Sequence, residues 1–227
     1  YIFETNCDTE VIIYAFDEWG SECVKKFNGM FAFAIYDKIK NSIFMARDRL
    51  GIKPFYYTFI GKTLVFSSEI KAILQIKEFK RIPDLKSISS YLTFRHTFSD
   101  RTFFEGIKKI MPGNIMIFNK NGYTTNEYWS VPHFDNKVDR GEKYYLKNVR
   151  HLLSKAVEKR LISDVSLGAL LSGGLDSSII VALMSNISEK KVNSYSIGFN
   201  EEGYDETNFA TLVAKHCKTN HLSLSLN

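Results

Sequence analysis

The sequence is short of cysteine, of long apolar runs and of charge of a single sign. Its three cysteines, Cys7, Cys23 and Cys217, have no metal-ligand spacing and form no even set, which excludes a disulfide framework and a zinc module. They indicate a reducing cytoplasm. No apolar stretch approaches the roughly 18–20 residues that cross a bilayer, so we expect no membrane partner. A net charge of +5 with scattered lysines suits anionic small molecules and nucleic acid alike.

The length of 227 residues leaves room for one large domain or two ordinary ones, and the composition is that of a soluble globular protein. The chain opens on Tyr1, its first residues show no charged segment followed by an apolar one, and it stops at Asn227 within a segment that alternates like a strand. We therefore expect an internal piece of a longer protein, cut at both ends.

The first half is predicted to consist of short strands and helices. One helix is expected to begin near Asp8, within the stretch 8–27, and others are expected at 69–74 and after Pro83. The expected strands cover 30–36, 42–46, 55–59, 63–66, 115–118 and 123–128. The run 30–36 is apolar at every position, which predicts a strand covered on both faces. Asn121-Gly122 predicts a two-residue hairpin turn, and the apolar spacing of residues 85–92 predicts an amphipathic helix.

Residues 131–141 show little apolar periodicity, and we predict a linker there between domains at 1–130 and 142–227. In the second domain a helix over 146–161 precedes a regular alternation. The strands are expected at 165–171, 192–199 and 221–226, and the helices at 177–186 and 205–216. This order predicts an α/β domain with a parallel sheet.

The most informative segment is 172–178, Ser-Gly-Gly-Leu-Asp-Ser-Ser, between an expected strand and an expected helix. A glycine-rich turn at a helix N-terminus offers unpaired N–H groups and the positive end of the helix dipole to an anion. The serines add hydroxyl donors, so we expect phosphate or pyrophosphate to bind. The alternative is an ordinary turn that caps a helix, with Asp176 as a first-turn acid.

The segment lacks the lysine of a Walker A loop and the spacing of a dinucleotide-binding turn. Asp176 can help to hold Mg²⁺ against phosphate oxygens, which suits the pyrophosphate end of ATP and leaves the α-phosphorus open to a carboxylate. Leu171 and Ile197, at the ends of adjacent strands, are candidates for packing against adenine, and either is as readily a core residue. The acidic cluster 201–206 is given no catalytic role. The expected ATP-binding residues are Leu171, Ser172, Gly173, Gly174, Asp176, Ser177, Ser178 and Ile197.

Each half of the chain resembles a known type of enzyme domain. The segment 172–178 is similar to the ATP-pyrophosphatase signature of adenylating synthetases, and the first half resembles the glutaminase domain of class II amidotransferases. The matching stretches are 8–11, 28–35, 46–57, 66–72 and 111–113. In this order they resemble the glutamine-hydrolysing asparagine synthase family. The resemblance implies a partial α+β sandwich of the N-terminal-nucleophile type, followed by a partial α/β ATP-pyrophosphatase domain.

The resemblance implies a carbon–nitrogen ligase that takes ammonia from glutamine. With ATP and Mg²⁺, the side-chain carboxylate of aspartate would become an acyl-adenylate, and ammonia would convert it to asparagine. The first alternative is a sister amidotransferase that acts on another carboxylate, such as a sugar acid. A tRNA-modifying ATP-pyrophosphatase is a remoter alternative, because no basic stripe is evident. We expect small-molecule partners and no nucleic acid, and leave a homodimer open.

The resemblance assigns one residue of a glutamine site, Asp8, whose carboxylate would pair with the α-ammonium group. From the residues alone, a helix N-cap is the alternative. The family's N-terminal cysteine, Asn-Gly oxyanion hole and carboxylate-binding arginine are absent, so we expect no catalytic residue and no activity from this chain alone. Cys7 and Cys23 are expected to be buried structural thiols. Arg47-Asp48-Arg49 is expected to hold a sandwich corner through paired charges.

Overall fold

The computed structural model describes residues 1–133, 138–199 and 206–226. The chain divides into two compact units, Tyr1–Phe134 and Asp135–Asn227. None of the helices in the described ranges is long and apolar enough to cross a membrane.

The first unit is an α+β arrangement with two antiparallel sheets. Its helices are α1 (Asp8–Trp19), α2 (Cys23–Lys26), α3 (Ile70–Ile73) and α4 (Leu85–Phe94), and a 3₁₀ turn covers Gly20–Glu22. Its strands are β1 (Ala32–Asp37), β2 (Ser42–Arg47), β3 (Tyr56–Ile60), β4 (Thr63–Ser67), β5 (Lys108–Lys109), β6 (Asn114–Asn119) and β7 (Gly122–Glu127). The strand orders are β1-β2-β6-β7 and β4-β3-β5. The helix expected to begin near Asp8 is α1, and it ends before Gly20, whose φ of 55° lies outside the helical range.

The core of the first unit lies on both sides of the four-stranded sheet. On one face, Phe44 and Ala46 of β2 pack with Ala15 of α1 and Cys23 of α2. On the other face, Met45 packs with residues of the second sheet, including Tyr57. Helices, first sheet and second sheet therefore form three layers, and β2 is buried on both faces.

The expectation that strand β1 is covered on both faces is wrong. Among the described residues, the strand pairs with β2 alone, at the edge of its sheet. Its side chains alternate, and Ala34 and Tyr36 are exposed. The apolar run carries no information on strand order, which decides how many neighbours a strand has.

Two further details differ from expectation in the first unit. Asn119 pairs with Gly122, so the turn between β6 and β7 consists of Lys120 and Asn121, one residue earlier than predicted. Helix α4 forms as expected, yet Leu85 and Leu92 of its apolar stripe are 75% and 78% exposed. Its N-terminus is instead fixed by the buried Asp84, which accepts the backbone N–H of Ser87 at 3.1 Å.

The corner that follows β2 is held by charged side chains that bind the backbone. The buried Asp48 carboxylate accepts N–H groups, while Arg47 and Arg49 donate to carbonyl oxygens. The N–H donors belong to Leu50, Ile52 and Lys53, and the carbonyl acceptors to Gly51, Lys53 and Ile110 for Arg47 and to Lys25 and Phe27 for Arg49. Neither arginine forms an ion pair within the described ranges. The expectation of a corner held by paired charges is therefore wrong.

The second unit is an α/β arrangement with a parallel sheet, as expected. Its elements are α5 (Glu142–Arg160), β8 (Gly168–Leu170), α6 (Leu175–Ile187), β9 (Asn193–Phe199), α7 (Thr207–His216) and β10 (Asn220–Leu226). The strand order is β10-β9-β8, and both pairs are parallel. Strand β8 is shorter than the predicted 165–171, because the chain joins β9 only from Gly168 onward.

The three strands present two different faces. Ser194 and Ser196 of β9 are buried, whereas Tyr195 and Ile197, which alternate with them, are 41% and 55% exposed. The register places Leu170 level with Tyr195 and Leu224 level with Ile197, and both leucines are exposed. One face of the described sheet is thus apolar and exposed, and the side chain of Ile197 lies on that face.

Candidate functional site

The glycine-rich bend lies at the carboxyl end of β8, directly before α6. Gly174 is the N-cap of α6, and the helix begins at Leu175. The N–H groups of Leu175, Asp176 and Ser177 have no carbonyl four residues earlier within the helix, and no side chain caps them. Residues 172, 174 and 176 are exposed. The bend therefore offers free donors and the positive end of a 13-residue helix to solvent.

Gly173 is required at this bend for two independent reasons. Its φ of 86° is a conformation that side chains rarely adopt. A Cβ atom there would lie 2.5 Å from the backbone nitrogen of Ala210 and 2.5 Å from Cβ of Phe209. Helix α7 thus forms a wall behind the bend. The sequence reasoning missed this wall, although small residues four apart, Ala210 and Ala214, are a signal of close helix packing.

The serine hydroxyls are turned toward the bend itself. Ser177 and Ser178 both donate to the carbonyl oxygen of Gly174, at 3.2 and 2.7 Å. Ser172 Oγ accepts the N–H of Gly174 at 3.3 Å and lies 3.0 Å from Ser177 Oγ. For a phosphate to receive these hydroxyl hydrogens, the side chains must rotate away from Gly174.

Asp176 lies in the exposed first turn of α6. Within the described ranges it forms no ion pair, and no group of three His, Cys, Asp or Glu side chains could hold a metal ion. A single carboxylate fits Mg²⁺ when phosphate oxygens supply most of the other ligands. Apart from Glu206, the acidic cluster 201–206 lies outside the described residues.

The two residues expected to pack against adenine are not brought together. The Leu171 side chain is 1% exposed and packs with Val181 and Ala210 of the helices α6 and α7. The Ile197 side chain lies on the open face of the sheet. Leu171 therefore has only its backbone within reach of a ligand, while Ile197 has an accessible side chain.

Asp8 is the first residue of α1 and is exposed. The N-cap position is taken by Cys7, and no side chain caps this helix, so the capping alternative for Asp8 is wrong. Among the residues that the structure describes, its Oδ1 atom accepts two long hydrogen bonds, from Cys7 Sγ at 3.7 Å and from Thr9 Oγ1 at 3.5 Å. The carboxylate is therefore free to bind a cation.

Glu10 organises the segment that leads into α1, and the sequence reasoning missed it. Its carboxylate accepts the N–H of Glu4 at 2.7 Å and the N–H of Thr5 at 2.8 Å, together with the Thr5 hydroxyl. The Thr5 hydroxyl hydrogen bond, with the backbone donors, lowers the pKa of Glu10. The signal available in the sequence was a glutamate in the first turn of the predicted helix, preceded five residues earlier by a threonine that can donate to it.

The cysteines divide into two kinds. Cys23 is buried in the core, and burial raises the pKa of its thiol to about 11, as expected of a structural thiol. Cys7 is exposed, so the expectation that it is buried is wrong. It precedes α1, where the chain has not yet joined the core.

Two sequence families match the chain. The model of the glutamine amidotransferase domain matches residues 1–129, and the asparagine synthase model matches residues 148–227. The chain is 40% identical over 223 residues to putative glutamine-hydrolysing asparagine synthetase 2 of Methanocaldococcus jannaschii, covering 96% of this chain and 43% of that protein. It is 41% identical over 207 residues to asparagine synthetase 3 of Bacillus subtilis, covering 88% of this chain and 33% of that protein.

The chain thus spans less than half the length of these two curated relatives. Among solved structures, it is similar to the glutamine phosphoribosylpyrophosphate amidotransferase of Bacillus subtilis complexed with ADP and GMP. That match has a TM-score of 0.39 and 15% identity, and it covers 98% of this chain and 40% of that chain. A similarity of this strength supports no argument about the present chain.

Proposed function

The chain belongs to the asparagine synthase family, and from that premise we propose that it carries parts of both sites of a glutamine-dependent asparagine synthetase. The first unit would belong to a glutaminase domain of the N-terminal-nucleophile type, and the second to an ATP-pyrophosphatase domain. The products would be asparagine, AMP and pyrophosphate. The three free thiols suit a reducing cytoplasm.

The proposed chemistry at the second unit is an adenylation followed by an amide transfer. A side-chain carboxylate oxygen of aspartate attacks the α-phosphorus of ATP, and pyrophosphate leaves. Ammonia from glutamine then attacks the carbonyl carbon of the acyl-adenylate, loses a proton, and AMP leaves. Mg²⁺, when bound, neutralises the charge of the β- and γ-phosphates.

The bend is proposed to bind the pyrophosphate end of ATP. The N–H groups of residues 175–177 would donate to phosphate oxygens, and Gly173 supplies the positive φ of the bend while α7 packs closely behind it. Asp176 would hold Mg²⁺ together with those oxygens. Ile197, on the open face of the sheet, would pack against adenine, and Leu171 would contribute its backbone.

Asp8 is proposed to bind the α-ammonium group of glutamine. It is exposed and forms no ion pair within the described ranges, and the Cys7 thiol and the Thr9 hydroxyl donate to its Oδ1 atom only at 3.7 and 3.5 Å. Glu4 and Thr5, which precede it, are held by the carboxylate of Glu10. The carboxylate is therefore both accessible and placed by a fixed backbone.

One observation carries the proposal: the bend at residues 172–174 leads from a parallel strand into a helix whose first N–H groups have no cap.

The experiment measures Mg-ATP binding to the chain by calorimetry. Asp176→Asn should weaken the affinity about tenfold or more, because one charged ligand is worth roughly 1.5–3 kcal/mol. The control Glu189→Gln removes an exposed charge just beyond the other end of α6 and should leave affinity unchanged. Equal affinities of all three proteins would reject the site.

The glutamine site is tested in the protein as the organism makes it. Asp8→Asn should abolish asparagine formation from glutamine while sparing formation from added ammonia. Only the reaction with glutamine needs a carboxylate that binds the α-ammonium group of glutamine. Glu78→Gln, an exposed charge in the same unit, serves as the control. Loss of both activities in Asp8→Asn would contradict the assignment, and failure to use aspartate with either nitrogen donor would contradict the acceptor.

A further inference from the structure

Three hairpin turns of the first unit surround a cavity that the proposed reaction does not use. The ends of the β1–β2, β3–β4 and β6–β7 hairpins line it, so both sheets contribute to its walls. Its volume is about 560 Å³, within the range of roughly 300–1,000 Å³ that is usual for small-molecule pockets. A single fused ring system with one substituent is small enough to fit.

Four aromatic side chains, Tyr36, Phe59, Phe118 and Tyr123, contribute to the walls of this cavity. Phe59 and Tyr123 stack with their ring centroids 5.1 Å apart, and Phe118 packs against Phe59 at 5.8 Å. Tyr36 faces the cavity from β1, and its hydroxyl donates to Asn41 Oδ1 at 2.9 Å. Tyr36 and Tyr123 remain 57% and 45% exposed, so each offers ring surface to a ligand.

The charge of this cavity has a single sign. Lys62, in the β3–β4 turn, and Lys120, in the β6–β7 turn, both line it, and neither forms an ion pair within residues 1–133, 138–199 and 206–226. No Asp or Glu of the described residues lines the cavity. Two unpaired ammonium groups beside an apolar wall attract an anion and leave a cation unfavoured.

We propose that this cavity binds a planar aromatic anion: a fused ring that packs against Tyr36 and Tyr123, with a carboxylate or phosphate held by Lys62 and Lys120. The aromatic wall selects a flat ring, and the lysines select the negative charge. The site is distinct from the bend of the second unit and from Asp8, since it shares no residue with either. It therefore stands whether or not the proposed enzyme activity is correct.

The test measures binding of 2-naphthoate and 2-naphthyl phosphate to the chain by calorimetry, with the neutral 2-naphthamide for comparison. We expect both anions to bind at least tenfold more tightly than the amide, because a hydrogen bond to a charged group is worth more than one to a neutral group. The tighter of the two anions identifies the anionic group of the ligand. Weak binding of both anions, no tighter than that of the amide, would overturn the proposal.

Two variants separate the contributions of charge and ring. Lys62→Gln with Lys120→Gln should weaken both anions about tenfold or more while leaving the amide unchanged. The matched double variant Lys77→Gln with Lys86→Gln removes the same charge from exposed positions outside the cavity and should bind like the parent protein. Equal weakening in both double variants would show a bulk charge effect and overturn the site. Tyr123→Leu should weaken the binding of both anions and of the amide, because all three use the ring surface. If this folded variant bound the anions and the amide as tightly as the parent protein, the proposal would also be overturned.

Discussion

Gly173 shows how a single residue allows helix α7 to pack directly against the glycine-rich bend. It combines a positive φ with a backbone neighbour at 2.5 Å from the position of a Cβ, so both its conformation and its lack of a side chain are needed. Gly141 offers a comparison within the same unit, since its φ of 78° is also positive but a Cβ atom added there would have no neighbour within 4 Å among the described residues.

We predict that Gly173→Ala destabilises the second unit more than Gly141→Ala. Gly141→Ala should cost only backbone strain, about 1–3 kcal/mol. Gly173→Ala should add an overpacking cost of roughly 1–3 kcal/mol against α7 and should abolish Mg-ATP binding. Urea denaturation followed by far-UV circular dichroism gives the free energy of unfolding. Equal costs for the two variants would show that α7 does not press on the bend.

Glu10 acts on the segment before α1 through its charged form. Its folded pKa is lowered, so its stabilising bonds are complete above its ordinary pKa of about 4.3 and are lost as the pH falls through the folded value. We predict that Glu10→Gln lowers the protection factors of the Glu4 and Thr5 amides against deuterium exchange at neutral pH, as protonation of Glu10 at low pH should in the parent protein. Glu22→Gln, which removes an exposed pairing with Lys25, should not affect these amides. Unchanged exchange in Glu10→Gln would contradict the role of its charge.

At the scale of elements, α4 depends on one buried carboxylate. Asp84 caps the helix through Ser87 N–H and accepts Arg101 Nη2 at 2.7 Å. The Arg101 hydrogen bond holds the pKa of Asp84 below its usual value, so this stability is present above about pH 4 and is lost as the pH falls through the folded pKa.

We predict that Asp84→Ala destabilises the first unit by about 2 kcal/mol, the sum of about 1 kcal/mol for the lost N-cap and about 1 kcal/mol for the ion pair with the half-exposed Arg101. The loss should shrink below pH 4, where the parent carboxylate becomes protonated. A double-mutant cycle with Arg101→Ala, measured by urea denaturation, isolates the pair. A coupling energy of zero at pH 7 would show that Arg101 contributes nothing to the cap.

The elements also show what the sequence could predict. The parallel sheet and the bend before α6 follow from local patterns, namely strand-length apolar runs and a glycine pair at a helix start. The edge position of β1 and the closeness of α7 to Gly173 depend on which elements become neighbours, and no local pattern carries that information. The same limit applies to Arg47 and Arg49, whose carbonyl acceptors lie up to 63 residues away.

At the scale of the whole molecule, each unit has buried cores of its own. Phe44 and Met45 belong to clusters of the first unit, while Leu171 and Val157 belong to clusters of the second. Both tryptophans of the chain, Trp19 and Trp129, lie in the first unit. Tryptophan fluorescence therefore follows the first unit alone, whereas far-UV circular dichroism follows both.

We predict that Mg-ATP separates the two signals during urea denaturation. A ligand at one hundred times its Kd stabilises the unit that binds it by about 2.7 kcal/mol. The dichroism transition of the second unit should move to higher urea, while the tryptophan transition of the first unit should stay in place. In the Asp176→Asn variant, a tenfold weaker affinity should reduce the stabilisation at the same ligand concentration to about 1.4 kcal/mol, so its dichroism transition should move about half as far or less. A tryptophan transition that moved with Mg-ATP would mean that the first unit binds the nucleotide or unfolds together with the second, and either result would contradict independent units with a single nucleotide site.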